Sequence, residues 1–154
     1  MRSTYSSRYV RIYGHCDQAD YYNQIVDAAA EAKIGVYALI WFGFNGDAVY
    51  EPRMASLLNV MKTNPRAPYV VRSITVGSEP LYDHAVSVDK LAGLLGMSLS
   101  SQLVSRKSDL TTAGWVKSEL QEFGTEVAIS EMPWGYQMNN GASQVVEQQD
   151  MVSL

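Results

Sequence analysis

The sequence predicts an α/β protein with a parallel sheet and, more narrowly, an incomplete (β/α)8 TIM barrel comprising roughly strands 2 to 6. Three features predict this. Short β-branched or all-apolar runs alternate with amphipathic helical stripes along the whole chain. Neither G-x-G-x-x-G nor G-x-x-x-x-G-K opens a helix, as nucleotide-binding open sheets usually require. Polar and aromatic side chains stand just past the predicted strands, where barrel enzymes carry their chemistry.

Tyr9-Val-Arg-Ile-Tyr13 is short, β-branched and aromatic and closes on Gly14, so it reads as a strand. From Asp20 to Lys33, Tyr22, Ile25, Val26 and Ala29 fall on one helical face. After Gly35, the run Val36 to Phe42 is nearly all apolar, as in a strand buried on both faces. Phe44-Asn-Gly-Asp47 is turn chemistry, and Met54, Leu57, Leu58 and Met61 trace the next helix. Asn64-Pro-Arg-Ala-Pro68 breaks that helix before a strand from Tyr69 to Val76, closed by Gly77. Leu91, Leu94, Leu95, Leu99 and Leu103 mark a longer helix, and Thr112 to Phe123 a second helical piece ending at Gly124. Glu126 to Ser130 is a further strand, Gln144 to Gln149 is helical, and Met151 to Leu154 begins another strand.

Residues 1–154 thus form a single partial barrel domain, without linker, low-complexity tract or internal boundary. A full barrel takes about 250 residues, whereas the 154 here supply five strands counting that at Met151. The chain is therefore expected to be a piece of a barrel.

The chain is 47% hydrophobic and 18% charged, the balance of a globular domain, and long enough to bury a core without disulfides or a metal. Its net charge is -4 and its basic residues are scattered, so no nucleic-acid partner is expected. No apolar run approaches membrane-spanning length, and the polar N-terminus lacks a secretory signal. Cys16 is the lone cysteine and is expected to be a small buried hydrophobe. His15 and His84 lack metal-ligand spacing, and neither metal nor cofactor is expected.

Glu79 follows a β-branched strand and a glycine, which places its carboxyl at a strand end. A glycosidase needs one carboxylic acid to protonate the departing oxygen and a second, ionised carboxylate to attack the anomeric carbon or activate water. A strand-end Glu desolvated by aromatics suits the first role, although an exposed loop Glu is the bland reading and about as probable from spacing alone. Glu131 follows its own strand in the same way and qualifies as the nucleophile or as a substrate-binding group. Trp41, Phe42, Tyr82, Trp134 and Tyr136 fall at or after strand ends. For any one of them packing is the bland reading; Trp134 and Tyr136 stand out, in a loop where no core face requires them. Arg11 lies within a strand and needs a partner, naturally a carboxylate at the mouth.

Four stretches resemble the strand-end motifs of glycoside hydrolase family 17, in its fungal cell-wall branch: Arg11-Ile-Tyr-Gly14, Leu39-Ile-Trp-Phe-Gly43, Ile74-Thr-Val-Gly-Ser-Glu-Pro-Leu81 and Ser130-Glu-Met-Pro-Trp-Gly-Tyr-Gln137. The resemblance runs from about Tyr9 to Leu154. It implies a (β/α)8 barrel, retaining chemistry on a β-1,3-glucan partner, by hydrolysis or transglycosylation, and secretion to the cell wall. It gives the acid/base role to Glu79 and substrate contacts to Arg11, Tyr13, Trp41, Ser78, Tyr82, Glu131, Trp134 and Tyr136. Ser78 replaces an Asn common in this clan, and its shorter hydroxyl has to reach the sugar directly or through water. The family nucleophile is a Glu on a later strand, followed by Thr-Gly-Trp-Pro, and no such motif occurs in these residues. Glu131 is then a cleft residue rather than the nucleophile, and the chain alone is expected to be inactive. The alternative expectation is a non-catalytic glucan-binding barrel fragment.

Overall fold

A computed structural model describes residues 6–14, 16–43, 50–95, 116, 120–147 and 149–150. In chain order the elements are β1 (Tyr9–Arg11), α1 (Tyr21–Ala32), β2 (Gly35–Ile40), α2 (Tyr50–Thr63), α3 (Ala67–Val70), β3 (Val71–Ser78), α4 (Val88–Leu95), a 3-10 turn (Gln121–Phe123), β4 (Glu126–Ser130), α5 (Pro133–Met138) and α6 (Ser143–Val146). The four strands form one parallel sheet in the order β1-β2-β3-β4. Sheet order thus follows chain order without reversal.

The two faces of the sheet differ. Val36, Ala38, Ile40, Ile74, Val76, Val127 and Ile129 face the helices and pack with Tyr22 and Val26 of α1, Met54, Leu57 and Met61 of α2, and Leu91 and Leu95 of α4. Burial of each large aliphatic side chain there stabilises the fold by roughly 1.5–3 kcal/mol. Pairing register puts Arg11, Tyr37, Ser73, Leu39, Thr75 and Ala128 on the opposite face. That face is more polar than continuous apolar strands suggest: Ser73, Thr75 and Ser130 are buried on or beside it.

The sheet curves strongly toward its polar face. A guanidinium nitrogen of Arg11, on β1, donates a hydrogen bond to the Ser130 hydroxyl, at the end of β4. Two strands lie between them, and in a flat sheet three strand spacings would separate their backbones by about 14 Å. An arginine bridges that gap only if the outer strands lean together. Its partner is thus a hydroxyl, with the Tyr13 ring 4.5 Å from the guanidinium carbon, rather than the carboxylate expected.

Several local features depart from the sequence reading. The Asn64–Pro68 break contains α3, with Pro68 in its first turn where a missing N–H costs nothing. α1 ends with Lys33 in the left-handed region at φ 55°, and the Lys33 and Ile34 amides donate to Ala30 and Ala29 carbonyls. Cys16 is exposed, not buried, because its segment runs over the surface between β1 and α1. Leu99, Leu103, most of the Thr112 to Phe123 helix, the Phe44 turn and the Met151 to Leu154 strand lie outside the described residues, as does His15. The approach to that last strand is described. The Asp150 amide donates to the Val127 carbonyl at 2.9 Å, and the Asp150 carboxylate and Gln149 amide oxygen accept from Val127 and Ile129, capping the free edge of β4.

The buried Tyr22 ties α1 to β2, its hydroxyl donating to the Leu39 carbonyl at 2.6 Å. Burial pushes its ionisation well upward, so the proton stays in place at ordinary pH. Tyr22→Phe should lower unfolding free energy by about 1–2 kcal/mol, since the carbonyl loses a partner without regaining water. Urea denaturation midpoints at unchanged slope measure this.

Candidate functional site

The candidate site residues among the described ones lie at or after the C-terminal ends of the parallel strands. Tyr13 follows β1, Trp41 follows β2, Ser78 ends β3 and Glu79 follows it, and Glu131 follows β4. Ser78 pairs in register with Ser130, which brings the Glu79 and Glu131 segments side by side.

Local backbone chemistry sets the course of the chain at Glu79. Gly77 has φ 88°, and a Cβ there would lie 2.8 Å from the Pro80 ring and 3.0 Å from the Phe42 ring. Only glycine allows the turn and the close approach together. Glu79 itself adopts φ 53°, a left-handed conformation costing a non-glycine residue on the order of 1–3 kcal/mol. Its amide donates to the Ser130 carbonyl at 2.6 Å, and its carbonyl accepts from Asp83 at 2.9 Å. The side chain is half-buried, and no hydrogen bond occupies its carboxylate among the described residues.

Glu131 has the opposite environment. It is only 1% exposed. One carboxylate oxygen accepts from the Leu81 amide at 2.7 Å and the Tyr82 amide at 3.3 Å, and the other accepts from the Met132 amide at 2.9 Å. Burial raises its pKa above the ordinary carboxylate range; the three amides pull it back, and nearby Glu79 adds a further rise. A carboxylate so enclosed is not presented to a ligand or to an anomeric carbon. In this conformation both of its oxygens are taken up by backbone amides, so it is not presented as a nucleophile beside Glu79.

Met132 to Gln137 is likewise no loop. Pro133 opens α5, and Tyr136 packs partly against the core, its hydroxyl accepting from the Gln149 side-chain amide at 3.1 Å. Tyr136 therefore has the packing role that the sequence argued against. Trp134 on the same short helix is 57% exposed, and Tyr13 and Tyr82 are 67% and 41% exposed. These three offer aromatic surface at the strand-end rim. Trp41 is held beneath Arg53, whose guanidinium carbon lies 5.4 Å from the ring centroid.

Arg53 was not legible as a site element. It is a buried cation on α2, donating to the Trp41 carbonyl at 3.0 Å and pairing with Asp17 at 3.2 Å. The signal was an arginine next to Met54 in the apolar stripe, a place where a charge needs partners. Gly135 was missed as well. A Cβ there would collide with the Glu131 carboxylate, so the glycine makes the room in which that carboxylate sits.

His84 is exposed and φ 52°. Among the described residues no group of three or more His, Cys, Asp or Glu side chains is arranged to hold a metal ion, and no helix is long and apolar enough to cross a membrane. A cleft of about 660 Å³ lined by Arg8, Tyr9, Gly35, Tyr69 and Arg72 lies at the opposite end of the strands and includes no residue singled out from sequence.

No protein-family model and no curated protein matches the chain. The likeness to glycoside hydrolase family 17 rests on the strand-end motifs themselves.

Proposed function

We propose that the chain is part of a (β/α)8 barrel of a retaining glycoside hydrolase or transglycosylase acting on β-1,3-glucan, with Glu79 as proton donor. The observation that carries this is a half-buried carboxyl, free of hydrogen bonds among the described residues, at the end of β3 in a sheet curved enough for Arg11 to reach Ser130. Curvature of that degree and strands laid down in chain order suit a closing barrel better than a doubly wound open sheet, whose strand order reverses. Strand ends are where barrels carry catalytic groups. The exposed faces of Tyr13, Tyr82 and Trp134 suit stacking against sugar rings. On this reading Arg11 and Ser78 orient sugar hydroxyls, no cofactor takes part, and secretion to the cell wall goes with the family.

A second reading is a glucan-binding fragment without turnover. It is favoured by the sequestration of Glu131, which leaves Glu79 without its neighbouring carboxylate as a partner in catalysis. Both readings require sugar to bind at the strand-end rim. Calorimetric titration with laminari-oligosaccharides should give saturable binding. Trp134→Ala should weaken it about three- to ten-fold, the loss of one stacking contact, while Glu79→Gln should leave it in place. Absence of binding to the unmodified chain would remove both readings.

A further inference from the structure

Among the described residues Glu131 is the one buried acid at the strand-end rim that the proposed chemistry leaves unused, and its surroundings give it a different task. Its carboxylate spans two segments. It grows from the end of β4, yet one oxygen accepts from Leu81 and Tyr82, the residues two and three past Glu79. The other oxygen turns back to the Met132 amide. The seat is closed by Gly135 of α5, where even a methyl group would overlap the carboxylate. Glu79 meanwhile holds a left-handed backbone that does not persist without support from outside the turn. That support comes from β4 twice over: through the Ser130 carbonyl to the Glu79 amide, and through the Glu131 carboxylate to the two amides beyond it.

We propose that Glu131 is a positioning residue, a buried carboxyl clamp that fixes the turn from Glu79 to Tyr82 and so aims the Glu79 carboxyl and the Tyr82 ring across the rim. The clamp itself is independent of any ligand; that it serves proton donation rests on the reading of Glu79 given above. The chemistry suits a carboxylate and no other side chain. Two amide donors converge on one oxygen and a third meets the other, so the group has to accept on both atoms. Glutamine has one accepting oxygen and would turn an NH2 toward one of those donors. Aspartate is a methylene shorter and draws back from Leu81. The titratable groups facing the clamp are Glu79 and Tyr136.

The experiment is amide NMR on the full chain and on Glu131→Gln, Glu131→Asp and Gly135→Ala. In the unmodified chain the Leu81 and Tyr82 amides should shift together with pH, following a single ionisation, and should exchange slowly with solvent. Glu131→Gln should abolish that shared titration of the Leu81 and Tyr82 amides and speed exchange of the Met132 amide, which then faces the NH2, on the order of ten-fold, the loss of one buried hydrogen bond. Gly135→Ala should speed the same amides while preserving a titration, because it displaces the carboxylate without removing it. Glu131→Asp should restore the titration incompletely. Persistence of the shared titration of Leu81 and Tyr82 in the folded Glu131→Gln chain would overturn the clamp. The two ideas fail separately. A clamp seen by NMR without any glucan binding retires the proposed function alone, whereas glucan binding with the shared titration intact in Glu131→Gln retires the clamp alone.

Discussion

Glu79→Gln should eliminate azide-dependent cleavage of laminari-oligosaccharides by this chain, with a fall of about 10²- to 10⁴-fold, the usual contribution of a positioned general acid. Glu79 provides a carboxyl at the rim, while Glu131 is closed in by three amides in this conformation. The Glu-Thr-Gly-Trp-Pro stretch that carries the nucleophile in the resembled family does not occur in these 154 residues. Azide can take that place. It attacks the anomeric carbon from the face opposite the leaving sugar, the C–O bond breaks, and Glu79 gives its proton to the departing oxygen. The products are a glycosyl azide of inverted configuration and a sugar with a free hydroxyl, and water returns the proton to Glu79. A dinitrophenyl leaving group departs as a stable anion and needs no proton, so with that substrate Glu79→Gln should change the rate little. Chromatography of the azide product from both substrates reads the contrast. Equal losses with the two leaving groups would mean that Glu79 binds or shapes the site and donates no proton. Laminarin turnover without azide would place a working second carboxylate within the chain.

Elements whose apolar spacing is set by core packing were readable from the sequence. The stripe of Tyr22, Val26 and Ala29 is buried as spaced, and Glu126 to Ser130 forms a strand with the predicted bounds. Strand ends were readable only roughly: β1 stops at Arg11 and β2 at Ile40, each two residues before the predicted end, whereas β3 runs one residue past Gly77. What pattern could not supply was the destination of each side chain after the strand. Glu79 and Glu131 occupy equivalent places in sequence, each just beyond a β-branched run. They differ because the turn after β3 directs its amides inward and the stretch after β4 directs its carboxylate toward them. That exchange involves residues 50 positions apart, and no local rule encodes it. Tyr136 was misjudged for a similar reason. Pro133 looked like a loop residue, yet proline is at home in the first turn of a helix, and the helix it opens carries Tyr136 onto the core. Arg11 needed a partner, as its place in a strand implied, but curvature of the sheet supplied a serine from the far strand.

Glu131→Ala should be among the most destabilising single substitutions at the rim, by about 2–5 kcal/mol. The Leu81 and Tyr82 amides would lose their acceptor in a buried setting, at roughly 1–3 kcal/mol for an unsatisfied group. The vacated space beneath Gly135 adds a cavity term. The pH dependence of that loss distinguishes a titrating carboxylate from mere packing. Burial raises the folded-state pKa of Glu131 above its unfolded value of about 4.3. The native state then binds its proton more readily than the unfolded chain does. The stabilisation due to this linkage is fully present below the unfolded pKa, and it is lost as pH rises through the raised folded value. The gap in unfolding free energy between the unmodified chain and Glu131→Ala should therefore narrow as pH increases across that window and level off above it. The other carboxylates are common to both proteins, so the difference isolates Glu131 as far as its removal leaves their environments alone. Urea unfolding from pH 4 to pH 8 on both chains measures the gap directly. A gap that widened with pH would show the three amides outweighing burial, with the folded pKa depressed instead of raised. The amide contacts and the enclosure act in opposite directions on the same proton, and the sign of that slope decides which of them governs the carboxylate at the rim.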